Sequence, residues 1–199
     1  MTQVKPIPLR KQQKNYTRQR LIQVSRELFV KNGTQATGID DIARAAGTSR
    51  ATVYTHFAGK QDIIRELLSE MWDQAMTMSE AFNALPDIAD ASIYNWLKQV
   101  FETWDAYAES TKVVLREMPS EVNAEYQARL EAHAEALVRN RKKWPHFTAE
   151  EAQRRAFLLL LQLHRSMSSH YYGGWSTDRE ALLNTLADMW CATLQPRRH

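Results

Sequence analysis

The sequence is poor in the features that mark secreted and membrane-spanning proteins. Its 199 residues include a single cysteine, Cys191, so no intramolecular disulfide is possible, and a reducing cytoplasm is the expected compartment. The longest apolar run, residues 156–161, is far shorter than the roughly 20 residues that span a membrane. Residues 1–14 are basic and polar, unlike a signal peptide. We therefore expect a cytoplasmic protein with no membrane partner.

Signals for β-strands and for catalytic sites are also missing. With six glycines, six prolines and no sustained alternation of polar and apolar residues, the sequence favours an all-α fold. It contains no glycine-rich phosphate loop and no nucleophile elbow. His133, His164 and His170 lack the i, i+4 spacing of a metal-binding pair on a helix. The sequence predicts no enzyme activity, no catalytic residue, no cofactor and no metal site.

Charge is distributed unevenly along the chain. Residues 1–60 contain 11 Lys and Arg against 3 Asp and Glu, whereas residues 61–199 contain 15 against 20. A basic first third on an acidic remainder is typical of a protein that binds a polyanion such as DNA through that third. A solvated basic tail would give the same pattern, so charge alone leaves both interpretations open.

Apolar residues recur with helical spacing along most of the chain, and about nine helices are predicted. Residues 1–14 are expected to form a disordered basic arm. Thr148 with Glu151, and Thr177 with Glu180, are predicted capping boxes that open the last two helices. The predicted helices cover residues 17–33, 38–47, 50–56, 60–83, 91–108, 112–118, 120–143, 149–171 and 178–194.

Residues 38–60 carry the pattern with the clearest functional meaning. Two short predicted helices are joined by a three-residue turn, in which Gly47 permits a positive φ; this is the layout of a helix-turn-helix. A glycine turn between helices is also common in other all-α proteins. The outward side chains of the second helix of this pair can reach base edges and phosphates. The predicted DNA-binding residues are Thr37 and Ser49 as helix caps, Arg50, Thr52, Tyr54, Thr55 and His56 on the recognition helix, and Lys60 on a phosphate.

The string from Thr37 to Asp62, TGIDDIARAAGTSRATVYTHFAGKQD, closely resembles the signature of the TetR family of transcriptional regulators. The resemblance covers about residues 17–65, and beyond it only the number and length of the helices agree. Gly59 stands where the family often has serine, and Thr48 where an apolar residue is usual. The matching positions are Asp41-Ile42-Ala43, Ala46-Gly47, Tyr54, Phe57, Lys60, and the preceding Ser25-Arg26-Glu27-Leu28-Phe29 and Asn32-Gly33.

The resemblance implies an all-α homodimer with two domains. Residues 15–60 would be the helix-turn-helix domain that binds double-stranded operator DNA, and residues 61–199 a domain for ligand binding and dimerisation. The expected function is a one-component transcriptional regulator, a repressor that binds a near-palindromic operator and is released by a mostly apolar small molecule. The alternatives are a ligand-independent DNA-binding protein and an activator.

The helices after the helix-turn-helix are rich in large apolar side chains, most of which are expected to pack in the core. The fourth helix is expected to link the DNA-binding end at Lys60 to an effector pocket near residues 72–82. The expected pocket residues are Trp72, Met76, Trp96, Trp104, Tyr126, His164 and Tyr171. The dimer is expected to form through the last two helices, whose apolar stripes must also partly face the chain's own core. These stripes are Phe157, Leu160, Leu161, His164 and Met167, and Leu182, Leu183, Leu186, Trp190 and Leu194.

Overall fold

The structure, a computed structural model, describes residues 8–108, 112 and 120–195, without the side chains of residues 120–124. Within these ranges there are eight α-helices, one 3-10 turn and no strand, so the predicted all-α fold is confirmed. The predicted helix at 112–118 lies outside the described residues. The helices are α1 (Leu9–Asn32), α2 (Ile39–Ala46), α3 (Arg50–His56), α4 (Lys60–Ala84), α5 (Asp90–Asp105), α6 (Ser120–Leu137), α7 (Ala149–Tyr171) and α8 (Arg179–Leu194), with the 3-10 turn at Arg141–Lys143.

The start of α1 differs from the prediction. The helix begins at Leu9 rather than near Thr17, so the prediction of disorder is wrong for residues 9–14. Pro8 directly precedes the first helical residue, and its fixed φ of −56° suits the entry to a helix. The residues that follow are Arg, Lys and Gln, all good helix formers. This stretch lacks an apolar stripe because it is exposed, and it is helical all the same.

The described residues fall into two compact units, the first ending at Ser69 and the second beginning at Glu70. In the first unit the inner face of α1 packs on α2, and α2 packs on α3. The core is small and fully closed, because the side chains that form it are at most 3% exposed. These are Leu21, Ile22, Phe29, Ile42, Val53, Phe57, Ile63 and Ile64.

In the second unit α5 packs on α8 and α6 packs on α7. A cluster of aromatic rings lies at its centre: Trp96 is 4.8 Å from Trp190 and 5.2 Å from Phe82, measured between ring centroids. The indole N–H of Trp96 donates to the carbonyl of Met78 at 2.8 Å, so this buried polar atom is satisfied. Most of the tryptophans are therefore core residues.

The predicted helix at 120–143 is too long, because α6 ends at Leu137. The side chain of Asn83, at the end of α4, donates to the carbonyl of Ala136 at 2.8 Å and accepts the backbone N–H of Asn140 at 2.8 Å. The Asn140 side chain in turn caps the 3-10 turn by accepting from Lys142 N. These paired asparagines turn the chain before Pro145.

Of the two caps predicted for the last two helices, one is confirmed and the other is wrong. Thr148 caps α7 by accepting the backbone N–H of Glu151 at 3.2 Å, as expected. Asp178, and not Thr177, caps α8 by accepting from Ala181 N at 2.9 Å. An aspartate at this position also places a negative charge at the positive end of the helix dipole. Within the part of the chain that the structure describes, no helix is long and apolar enough to cross a membrane.

Candidate nucleic-acid interface and ligand cavity

The turn between α2 and α3 has the geometry of a helix-turn-helix. Gly47 adopts a left-handed conformation with φ of +68°, which an L side chain rarely adopts. Its N–H donates to Arg44 O at 3.1 Å, and the N–H of Thr48 donates to Ala43 O at 2.9 Å. Ser49 caps α3, because its hydroxyl accepts from Thr52 N at 3.1 Å. The orientation of α3 is therefore fixed by local hydrogen bonds.

Thr37 does not have the predicted role. Its side chain is 1% exposed, so it is closed off from a nucleic acid, and the cap of α2 is Gly38. The Thr37 hydroxyl donates instead to Gly33 O at 2.8 Å. The start of α2 is completed by Asp41, whose carboxylate accepts from Gly38 N at 3.0 Å. The helix α2 therefore begins one residue later than the sequence predicted.

The outward face of α3 carries the polar side chains that the sequence predicted. Tyr54 is 45% exposed, and Arg50 and Thr55 are also exposed. Arg50 forms an ion pair with Asp40 at 3.2 Å and lies 3.4 Å from the Tyr54 hydroxyl. The pairing holds the guanidinium at the N-terminal end of α3. Thr52 is half-buried, and its hydroxyl lies 2.9 Å from that of Ser49.

His56, at the end of α3, is less available than expected. Its ring is half-buried, and within the described part of the chain its Nδ1 has no hydrogen-bond partner. Burial, followed by the positive charges of Lys14 and Arg18, lowers the pKa of His56 below its ordinary value. The ring is therefore neutral at pH 7 and contributes no charge to this surface.

Lys60 was predicted to bind a phosphate, but the structure gives its ammonium group a different position. The Lys60 Nζ donates to Thr34 O at 2.5 Å and to Thr37 O at 3.2 Å. Both acceptors lie in the connection between α1 and α2. The ammonium group is thus used inside the protein, where it joins α4 to that connection.

Sequence reasoning missed two arginines that hold the unit together. Arg18 donates to His56 O at 2.8 Å and pairs with Glu66 at 2.7 Å, and its guanidinium lies 4.3 Å from the centre of the Phe57 ring. Arg20 donates to Ala46 O at 3.0 Å. Both satisfy carbonyls at the C-terminal ends of α3 and α2, where cations are favoured by the helix dipole. The sequence does not show that these arginines lie near those helix ends in space.

The second unit contains a narrow apolar cavity. It has about 40 Å³ of free volume, which is room for only two or three water molecules. Of the residues predicted to line a pocket, Trp96, Trp104 and His164 do so. The other lining residues were not predicted for this role: Met71, Gln74, Ala75, Met78, Val100, Thr103, Tyr107, His133, Leu160, Leu163 and Met167.

His133, which is buried, and His164, which is half-buried, contribute imidazole rings to the cavity wall. The rings of His133 and His164 are 5.7 Å apart, and each lies about 6 Å from the Trp72 ring: 6.1 Å for His133 and 6.0 Å for His164. Burial lowers the pKa of His133 to about 3, helped by the neighbouring His164, and that of His164 to about 4. Both rings are neutral at pH 7. The Nδ1 of His133 is buried and has no hydrogen-bond partner among the described residues.

Four predicted pocket residues do not line this cavity. Trp72 is 3% exposed and packs against Tyr126 at 5.2 Å, behind the two histidines. The hydroxyl of Tyr171 donates to Asp105 at 2.6 Å, and that carboxylate also accepts from Arg179. Met76 is half-buried outside the lining. On α4 the cavity is lined by residues 71, 74, 75 and 78, which share one helical face, whereas 72 and 76 lie about 100° further round than 71 and 75.

The apolar stripes predicted for a dimer mostly face the chain's own core. Trp190 and Leu194 of α8 and Leu160 of α7 have no exposed surface. The large apolar side chains that are exposed on these helices are Leu158 at 64%, Met189 at 49% and Leu161 at 39%. Only Leu161 belongs to the predicted set. In the described ranges no group of three or more His, Cys, Asp or Glu residues could hold a metal ion.

A three-helix unit with a rigid glycine turn and an exposed polar α3, joined to a helical unit with an apolar cavity, has the fold of a helix-turn-helix regulator. Residues 21–67 match the family of bacterial regulatory proteins described as the tetR family. This segment of the chain is therefore similar to the DNA-binding segment of the TetR family, as the sequence resemblance implied.

Individual relatives match the chain over 53–63 residues. The transcriptional regulator AcrR of Shigella flexneri is 40% identical over 63 residues, which cover 32% of this chain and 27% of that protein. The regulator SrpR of Pseudomonas putida is 43% identical over 53 residues, which cover 27% of this chain and 25% of that protein. The chain thus spans less than half the length of these curated relatives.

Solved structures extend the likeness in fold to most of the chain. FadR from Bacillus halodurans, a fatty acid degradation regulator, aligns with a TM-score of 0.69 and 18% identity, covering 91% of this chain and 97% of FadR. NalD, the secondary repressor of the MexAB-OprM multidrug efflux pump in Pseudomonas aeruginosa, aligns with a TM-score of 0.62 and 20% identity, covering 92% and 97%. At these identities the likeness concerns the fold alone.

Proposed function

We propose that this protein is a cytoplasmic one-component transcriptional repressor that binds a near-palindromic operator as a homodimer and is released by a mostly apolar small molecule. The observation that carries the proposal is the outward face of α3. Arg50, Tyr54 and Thr55 are exposed there, while the backbone of α3 is fixed by the Gly47 turn and the Ser49 cap. A relative of the same fold, NalD, is named a repressor, which supports repression over activation.

Within α3 the side chains divide into two kinds of contact. Thr55 is exposed and carries a hydroxyl, which suits a contact to a base edge, as does Thr52 if its bond to Ser49 rearranges. The exposed hydroxyl of Tyr54 suits a phosphate. Changes at Thr55 should alter which sequence is preferred, whereas Tyr54→Phe should weaken binding to all sequences alike. Selection from random duplexes, followed by affinity measurements on each variant, tests the division.

Release is proposed to act through α4. This helix begins at Lys60, in the unit that carries α3, and supplies Met71, Ala75 and Met78 to the cavity wall. A ligand that fits the cavity better in the released state than in the DNA-bound state would lower DNA affinity, and DNA would lower ligand affinity by the same factor. Paired titrations of ligand with and without operator DNA measure both factors. A ligand that binds without any coupling would contradict this part of the proposal.

The wall of the cavity defines the chemistry of the effector. Its described surface is mostly apolar, and its three methionines, Met71, Met78 and Met167, have adaptable side chains. The neutral imidazoles of His133 and His164 suit a single hydrogen-bonding group on an otherwise apolar molecule. With 2-naphthol and naphthalene as probes, the naphthol should bind more tightly, and His164→Leu should remove the difference. The quenching of tryptophan fluorescence reports binding.

One observation favours a second candidate, a ligand-independent DNA-binding protein. The free volume of about 40 Å³ is well below the roughly 300 Å³ of the smallest ordinary ligand pockets, so a ligand must displace side chains on entry. The same paired titrations decide between the candidates, because a ligand-independent protein binds operator DNA with an affinity that no apolar compound changes.

The homodimer is proposed to use the exposed faces of the last two helices. Leu158, Leu161 and Met189 are large apolar side chains with 39–64% of their surface exposed. Burying them against a second copy would remove this surface from water, which is the usual driving force of association. Two copies would present two α3 helices to one duplex, which is why a near-palindromic operator is expected.

A further inference from the structure

The first two turns of α1 form an exposed basic surface. Residues 8–16 are all exposed, and Leu9 and Tyr16 remain 79% and 68% exposed. This stretch contains Arg10, Lys11 and Lys14, and the first acidic residue of α1 is Glu27. None of the three cations forms an ion pair with any residue in the described ranges. This stretch has no apolar face, and it is helical because it continues directly into the buried half of α1.

The orientation of this basic stretch is fixed relative to α3. Arg18 joins α1 to the last residue of α3 through its hydrogen bond to His56 O. Lys11 and Lys14 lie seven and four residues before Arg18, so all three occupy one face of the helix. Lys14 is close enough to His56 for its charge to help lower the pKa of that histidine. The free cations therefore lie beside the C-terminal end of α3, beyond the point where Arg18 holds the two helices together.

We propose that Arg10, Lys11 and Lys14 form a second DNA contact, which binds backbone phosphates in the duplex that flanks the sequence contacted by α3. This inference rests on the proposed DNA-binding function and adds a separate surface to it. From Leu9 to Arg18 the helix extends about 13 Å, the length of roughly four base pairs. Lysine and arginine side chains at that range neutralise phosphates without reading sequence. The contact adds affinity but not specificity.

The test is the double substitution Lys11→Gln/Lys14→Gln in the full chain. Glutamine has nearly the helix propensity of lysine, and both side chains are exposed, so circular dichroism should show unchanged helix content. The affinity for a selected duplex is measured over a series of salt concentrations. Each lost phosphate contact lowers the slope of log affinity against log salt by about 0.9, so the double variant should lose up to about 1.8. Its order of preference among sequences should not change.

The control is Lys98→Gln/Lys142→Gln, which removes the same charge from exposed positions in the second unit and should leave the slope unchanged. A second measurement shortens the duplex by four base pairs on each side. The wild type should then lose affinity until it matches the double variant on the short duplex. A wild type that prefers its selected sequence but has the same salt slope as the double variant would overturn this inference alone. A wild type with no sequence preference would overturn the proposed function as well.

Discussion

The ammonium group of Lys60 donates hydrogen bonds to the carbonyl oxygens of Thr34 at 2.5 Å and Thr37 at 3.2 Å. The first residue of α4 thereby holds the connection between α1 and α2, which leads directly into the helix-turn-helix. We therefore expect Lys60 to affect DNA binding through the structure of the unit, whereas the sequence predicted a contact to a phosphate.

Lys60→Met tests this assignment, because it keeps the stem of the side chain and removes the donor. Two carbonyls lose a charged partner, so the free energy of unfolding should fall by about 1.5–3 kcal/mol. Urea unfolding measures the loss. The slope of log DNA affinity against log salt should stay as in the wild type, because no phosphate contact is lost. Lys142→Met, at an exposed position, is the control. A slope reduced by about 0.9 with unchanged stability would restore the phosphate contact that the sequence predicted.

Asp40→Asn should raise DNA affinity. The exposed carboxylate of Asp40 pairs with Arg50 at 3.2 Å and adds a negative charge beside the α3 surface. Its removal frees the guanidinium for DNA, and a gain of about threefold to tenfold is expected at low salt. In an Arg50→Gln background the same substitution should give a clearly smaller gain. Equal gains in both backgrounds would show that Arg50 has no part in DNA binding.

Much of the first unit was predictable because its determinants are local. The Gly47 turn, the Ser49 cap and the buried Val53 each depend on residues within one helical turn of one another. What the sequence could not give was the partner of a long side chain. Arg18, Arg20 and Lys60 reach carbonyls that are 23–38 residues away in the chain, so their roles depend on tertiary packing.

The cavity was harder to predict for a related reason. Trp72 and Met71 are equally apolar neighbours, but one helical step decides which of them lines the cavity and which packs behind it. The choice depends on how α4 is rotated against the surrounding helices, and periodicity alone does not fix that rotation. For the same reason the sequence predicted Trp190 and Leu194 at a dimer interface, whereas the structure buries both in the core.

His133 and His164 should make the stability of the protein depend on pH in the acidic range. The pKa of His133 is about 3 and that of His164 about 4 in the folded chain, both below the unfolded value near 6.5. The unfolded chain therefore binds protons that the folded chain excludes. Their contribution to stability is complete above pH 6.5 and is lost as the pH falls toward 4, by about 1.4 kcal/mol per pH unit for each ring.

Unfolding of the wild type and of His133→Gln/His164→Gln, measured between pH 7 and pH 4.5, tests this dependence. The variant should lose clearly less stability over that range. His146→Gln, which changes an exposed histidine, should follow the wild type. Parallel curves for all three proteins would show that His133 and His164 are protonated as readily in the folded chain as in the unfolded one.

Leu158→Glu should convert the proposed homodimer into a monomer. The substitution places a charge on the most exposed apolar residue of α7, where a second copy would have to bury it without a partner. Light scattering at micromolar concentration should give twice the chain mass of 23.1 kDa for the wild type and a single chain mass for the variant. Trp175→Glu, at a residue 49% exposed outside the helices, should remain dimeric. A dimeric Leu158→Glu would place the interface elsewhere.

We propose that the outward face of α3 recognises a specific DNA sequence. Selection of bound duplexes from a random pool tests this, followed by the affinity of the full chain for the selected duplex and for a scrambled one at the same salt concentration. We expect a near-palindromic selected sequence, bound at least about a thousandfold more tightly than the scrambled duplex. Thr55→Ala should reduce that ratio. Equal affinity for the two duplexes at moderate salt would show that α3 does not recognise a specific sequence.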